Sequence, residues 1–271
     1  MYHETISHHD KSSTIPPSIF EHEKCLVIGQ TLNVLNPFFQ KALEENNKSI
    51  LIDLARRQLA VGARGLNINP GPAESMDRKL PWVTATLGST VDVDMFLPAH
   101  SAYLAECLAL FPRRVVINGI TVDDQVILRE KMALARRYEA GLVVMLLRSG
   151  GNGSLEEKLK LAVEVMEMAD EMGVDYDRLY LDPVITSGSD PMLHALRRGR
   201  PPLDSLVDSI QLLDALSGEK IKVIMELSNI LGGEESFAQC QSFQNSIPAL
   251  LADAGLDALV MDCCYASQSL H

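Results

Sequence analysis

Leu179-Tyr180-Leu181-Asp182-Pro183-Val184-Ile185 is an apolar run broken by one acid, with a proline directly behind that acid. A run of this kind reads as a β-strand covered on both faces. Pro183 has no backbone N–H to give to a ladder, so the strand stops there. A carboxylate has no place in a core unless something pairs with it. Asp182 is therefore expected at the open end of its strand, facing a ligand.

The flanking segments repeat one pattern. Upstream, Ser154-Leu155-Glu156-Glu157 is a capping box that opens a helix running to Met172, with Gly173 behind it. Downstream, a long loop from Thr186 to Pro202 leads to a helix over Leu203 to Leu216 and a strand over Val223 to Ser228. Toward the N-terminus, strands are predicted over Cys25 to Gly29, Gly65 to Asn69, Val91 to Leu97, Val115 to Asn118 and Leu142 to Leu147. Amphipathic helices separate them over Ser49 to Val61, Met76 to Leu87, Ala99 to Leu110 and Asp123 to Glu139. A last helix, Ser246 to Ala254, precedes an eighth strand, Ala258 to Asp262. Alternation of this kind gives a parallel sheet, because parallel strands need crossover helices. Eight strands favour the closed (β/α)8 TIM barrel, and 271 residues suit one. Residues 1–24, polar and bearing His3, His8, His9 and His22, read as an N-terminal arm ahead of a barrel over 25–271. Only Cys263 to His271 follow strand eight, a shortened C-terminal end.

Composition narrows the partners. Hydrophobic residues make up 46% and charged residues 22%, enough for a sizeable core. A formal net charge of -12 argues against non-specific nucleic-acid binding and against a polybasic membrane anchor. No apolar run approaches the roughly 20 residues of a membrane span, and the N-terminus lacks the form of a secretory signal. The expectation is a cytoplasmic protein with reduced thiols, its five cysteines being an odd number.

In such a barrel the active site lies at the C-terminal ends of the strands. The polar residues expected there are Asn67, Asn69, Asp92, Asp94, Asn118, Asp182, Glu226, Asn229 and Asp262. Lysine is absent from this ring, which disfavours Schiff-base chemistry. Asp and Asn together suit a flat heterocycle rich in hydrogen bonds, such as a 2-amino-4-oxo pyrimidine. Any one of these residues, alone, reads more readily as a turn or cap residue; the case rests on five or more strands ending this way together.

The stretches Ile28-Gly29-Gln30-Thr31-Leu32-Asn33, Leu66-Asn67-Ile68-Asn69-Pro70-Gly71-Pro72, Val93-Asp94, Ile117-Asn118, Tyr180-Leu181-Asp182-Pro183 and Leu227-Ser228-Asn229 resemble the pterin-binding barrel family. Within it they are most similar to the methyltetrahydrofolate:corrinoid protein methyltransferases. The resemblance implies that Asp94, Asn118 and Asp182 hold the pyrimidine edge of the pterin, that Asn69 lines the same pocket, and that Asn229 is catalytic beside N5. It implies methyl transfer between a corrinoid (cobalamin-type) group on a partner protein and N5 of tetrahydrofolate, forming 5-methyltetrahydrofolate, in a homodimer, with no metal bound by this chain. The sequence departs from the family at Gln30, where a glutamate is usual, at Asn67, where an aspartate is common, and at Ile230-Leu231-Gly232-Gly233.

Three rival readings stand beside it. Cys263-Cys264 ends strand eight, where zinc-dependent thiol methyltransferases place two thiolates, but no other cysteine supplies a fitting third ligand. Dihydropteroate synthase shares the pterin site; its pattern has a lysine near the end of strand seven and an arginine near the end of strand eight, where this chain reads Glu226-Leu227-Ser228-Asn229 and Asp262-Cys263-Cys264. The third is a non-catalytic binding module.

Overall fold

A computed structural model describes residues 25–149, 154–184, 203–218, 221–228 and 249–263. The arm over 1–24, the loop from Thr186 to Pro202, Asn229, Cys264 and the tail behind it lie outside the described residues.

Eight strands close into one barrel in sequence order, each parallel to its neighbours. They are β1 (Leu26–Asn33), β2 (Gly65–Asn69), β3 (Asp94–Pro98), β4 (Val115–Thr121), β5 (Gly141–Met145), β6 (Leu179–Asp182), β7 (Lys222–Glu226) and β8 (Ala258–Met261). Around them run α1 (Pro37–Glu45), α2 (Lys48–Ala60), α3 (Glu74–Asp77), α4 (Leu80–Gly88), α5 (Leu104–Leu110), α6 (Gln125–Tyr138), α7 (Leu155–Met172) and α8 (Leu203–Ser217). The expected (β/α)8 barrel is the observed fold.

Two cores hold it. Strand residues alternate between them, as the twofold period of a strand requires. Ile28, Phe96, Val116, Val143, Tyr180, Ile224, Ala258 and Val260 fill the barrel interior. Phe96 and Tyr180 meet edge to face there, ring centroids 5.9 Å apart. The alternate residues, such as Leu66, Leu97, Leu181 and Leu259, pack outward against the helices. This parity decides which polar residues face the lumen: those in step with the inner set.

Helix ends follow local chemistry. Ser154 Oγ accepts from the Glu157 N–H at 3.2 Å, the N-cap bond of the expected capping box. Gly173 closes α7 at φ +66, the left-handed conformation that glycine adopts without cost. Helix α1 had no counterpart in the sequence pattern; Asn36 caps it by accepting from the N–H groups of Phe38 and Phe39. The predicted helix over Met76 to Leu87 is two, α3 and α4, and Pro81 sits in the first turn of the second.

Candidate functional site

β6 carries Asp182 to the C-terminal rim and leaves it only 9% exposed. Two residues on, Val184 takes φ +33, a strained conformation for a β-branched residue, and its N–H donates to Asp182 Oδ1 at 2.8 Å. Burial pushes the Asp182 carboxyl up to about 7, and the nearby Glu226 carboxylate pushes the same way. The Val184 hydrogen bond and the charge of Lys158 oppose them. Lys158 is itself buried, in the first turns of α7. A lysine in step with Leu161, Ala162 and Val165 on an apolar helix face was the sequence signal for it, and the strand-end reading passed over it.

Across the lumen stand amides. Asn67 and Asn118 share the inward parity of the interior set, and Asn118 Nδ2 donates to Asn67 Oδ1 at 3.2 Å. This fixes one polarity of each amide and leaves Asn118 Oδ1 and Asn67 Nδ2 for a ligand. Asn69, placed by the sequence in the same pocket, is exposed, and its Oδ1 accepts from the Gly71 N–H at 2.9 Å. Its carbonyl oxygen thus shapes the turn after β2.

β1 contributes through a bulge. Its register against β2 shifts between Gly29 and Leu32. Gln58 of α2 is fully buried and fills the gap: its Oε1 accepts from the Thr31 N–H at 3.0 Å and its Nε2 donates to Leu54 O at 3.2 Å. A Cβ at position 29 would collide with Gln58 Oε1, so any larger residue there must displace that amide. Within the bulge, Thr31 Oγ1 donates to Asp262 Oδ1 at 3.0 Å, tying the ends of β1 and β8. Gln30 Oε1 is shielded from solvent with no hydrogen-bond partner among the described residues.

β7 ends in Glu226, in step with the interior Ile224 and paired in register with the interior Val260. Ser228 Oγ donates to Glu226 Oε1 at 2.7 Å. The rim is therefore two-sided, with carboxylates on β6, β7 and after β8, and amides on β1, β2 and β4.

Asp94 is not part of it, a correction to the sequence reading. It opens β3, level with Gly65, which opens β2, and lies four residues before Pro98. That is about 13 Å toward the opposite mouth at the usual strand rise. Arg114 holds the segment before the strand: its Nη2 donates to Val91 O and Val93 O, both at 2.9 Å. Those carbonyls are lost to the ladder, which starts only at the Met95 N–H on Arg114 O. Burial raises the Asp94 carboxyl, and Arg114, Lys222 and Arg178 oppose the rise. It belongs to a charged plug at the barrel floor, where Lys222 Nζ sits 4.9 Å from the Tyr180 ring centroid. Asp92, the other acid of that strand, is exposed and pairs with Arg114 at 3.3 Å.

Cys263 also leaves the rim. It is 3% exposed, packs in the strand-helix layer, and its thiol donates to Met261 O at 3.6 Å. Its parity is opposite to that of Asp262, so this thiol does not face the mouth. Among the described residues no group of three or more His, Cys, Asp or Glu side chains could hold a metal ion.

No model of a known protein family matches the chain. Solved structures do. A dihydropteroate synthase from Xanthomonas albilineans, solved with 4-aminobenzoic acid, superposes with a TM-score of 0.63 at 18% identity over 91% of this chain and 90% of that one. The 7,8-dihydropteroate synthase of Vibrio fischeri gives a TM-score of 0.64 at 13% identity over 89% and 88%. A Coxiella burnetii dihydropteroate synthase with pteroic acid gives 0.60 at 15% over 91% and 90%. At these identities the likeness establishes the shared barrel. No helix among the described residues is long and apolar enough to cross a membrane.

Proposed function

We propose that the protein is a transferase of folate chemistry that binds a pterin at the C-terminal mouth of its barrel. The observation that carries this is the facing of Asp182, buried and carboxylic, with the hydrogen-bonded Asn67–Asn118 pair. A pterin presents N3–H and 2-NH₂ side by side, matching a carboxylate, next to an O4 that needs a donor, matching an amide. Hydrogen bonds to a charged group contribute about 1.5–3 kcal/mol each, enough for two of them to offset much of what burying Asp182 costs. The barrel's likeness to dihydropteroate synthases supports the same ligand class.

Two finer reactions remain. The solved structures favour the synthase type, in which an arylamine nitrogen displaces a leaving group from the carbon beside the pterin. Methyl transfer at N5 of tetrahydrofolate, with the donor's methyl passing to N5 and the N5 proton released, rests on the sequence resemblance. It is also favoured by the acids: the ends of β7 and β8 hold Glu226 and Asp262 where the synthase pattern has a lysine and an arginine, and two acids there would repel a pyrophosphate leaving group. In that reading Asn229 acts at N5, the methyl group comes from a corrinoid carried by a partner protein, and the working form is a homodimer. Calorimetric titration with tetrahydrofolate and with a 7,8-dihydropterin tests the ligand class; binding of neither would end the proposal. Dihydropteroate formation from dihydropterin pyrophosphate and 4-aminobenzoate, against 5-methyltetrahydrofolate formation from methylcobalamin and tetrahydrofolate, separates the reactions.

A further inference from the structure

The second acid of the ring site comes from a strand the sequence reading did not use for it. With Asp94 at the floor and Pro98 at the top of β3, that strand offers the mouth no carboxylate. β7 does. Glu226 has the inward parity of Ile224 at the end of the strand next to β6, its charge bears on that of Asp182, and Ser228 holds one of its oxygens, leaving Oε2 for a ligand.

A carboxylate only accepts hydrogen bonds, so what it meets on the ring must be an N–H. Asp182 takes N3–H and one hydrogen of the 2-amino group. On one side of that edge lies O4, which repels a carboxylate and is served by the amides of β4 and β2. On the other side the 2-amino group still carries a second hydrogen, and β7 neighbours β6 on the side away from β4. We propose that Glu226 accepts this second 2-amino hydrogen, so that two carboxylates from adjacent strands clamp one exocyclic nitrogen and make the protein selective for 2-amino over 2-oxo rings. A 2-oxo ring (a lumazine) would set a carbonyl oxygen against two acids. The selectivity rests on the pterin reading above and gives it a residue-level test.

The experiment is calorimetric titration of the full chain with 6-methylpterin and with 6-methyllumazine, for wild type, Glu226→Gln and Ser228→Ala. Wild type should prefer the pterin by a hundredfold or more. Glu226→Gln should lose roughly tenfold or more in pterin affinity, the scale of one charged hydrogen bond, and gain for the lumazine, because Gln can donate to its 2-oxo group. Ser228→Ala, on an exposed residue, should shift the ratio the same way by a few-fold without touching the ring. Equal losses for both rings in Glu226→Gln, or no change in either, would overturn the clamp. If wild type binds neither ring, the pterin site itself fails and the clamp with it; if wild type binds both equally, the clamp alone fails.

Discussion

Replacing Asp182 by Asn should stabilise the fold in alkaline solution while weakening ligand binding. The carboxyl stands at about 7 in the folded chain against an ordinary 3.8. At about 1.4 kcal/mol per pH unit of displacement, this corresponds to roughly 4 kcal/mol of unfavourable free energy once the group is ionised. The sign follows from proton counting. The folded chain holds this proton more tightly than the unfolded chain, so folding weakens as pH rises from about 4 to about 7, and the whole penalty is present above 7. Asn carries no charge and keeps an oxygen for the Val184 N–H. A buried amide still costs about 1–2 kcal/mol to desolvate, so the net gain at pH 9 is about 2–3 kcal/mol. For a domain of this size that is roughly 5–10 °C in Tm. Thermal unfolding of both proteins from pH 4 to pH 9 reads it directly: the difference should rise with pH and level off near 7 to 8. A difference that does not change with pH, or that shrinks as pH rises, would refute the reasoning, since either result means that ionising this carboxyl costs the fold nothing.

Ligand binding should follow the same group in the opposite sense. Because the ring needs the carboxylate, wild-type affinity for a pterin should fall by up to tenfold per pH unit below about 7 and stay flat above it, measured by calorimetry in matched buffers. Asn118→Ala should weaken the ring by roughly tenfold and leave the unfolding midpoint within about 1 kcal/mol, because the Asn67 partner that loses its bond faces the open mouth. Gly29→Ala should destabilise by about 3 kcal/mol in urea unfolding: it displaces Gln58 and strands the buried Thr31 N–H. Cys25 and Cys107, with thiols pushed up to about 12 and about 11 by burial, should not react with a thiol reagent at pH 8 until the chain unfolds.

The barrel was legible because its signals are local and repeated. Each apolar strand ends against a helix whose stripe and caps can be read within about fifteen residues, as with Ser154 and Gly173 around α7. Asp182 was legible for a related reason: an acid after an apolar run and before proline admits few placements. The strand pattern did not put Asp94 at the rim: in the predicted strand over Val91 to Leu97 it already lies three residues before the end, and in the structure it opens β3. Nothing near Val91 announces that Arg114, more than twenty residues later, will take its carbonyl and that of Val93. Lys158 and Gln58 failed to stand out for the converse reason. Each sits on a helix face where the period demands an apolar residue, and each acts on a group of another element: Lys158 on the Asp182 charge, Gln58 on the bulged Thr31 N–H.

The placement of these groups bears on how a ring would be oriented. A mouth lined evenly with amides could accept a flat heterocycle in either of two flipped poses, since each amide offers both a donor and an acceptor. Here the bond from Asn118 Nδ2 to Asn67 Oδ1 consumes one donor and one acceptor, and the opposite wall carries Asp182, Glu226 and Asp262, which accept only. A pterin flipped about its long axis would turn O4 toward that wall, exchanging attraction for repulsion between partial charges a few ångströms apart in a partly dry site. Lys158, in the first turns of α7, opposes with its charge the burial that raises the Asp182 carboxyl. Removing that charge by Lys158→Met should therefore move the acid limb of pterin binding to higher pH while leaving the affinity plateau above it nearly unchanged. A variant that lowers the plateau with the limb unmoved would show that the lysine serves packing alone.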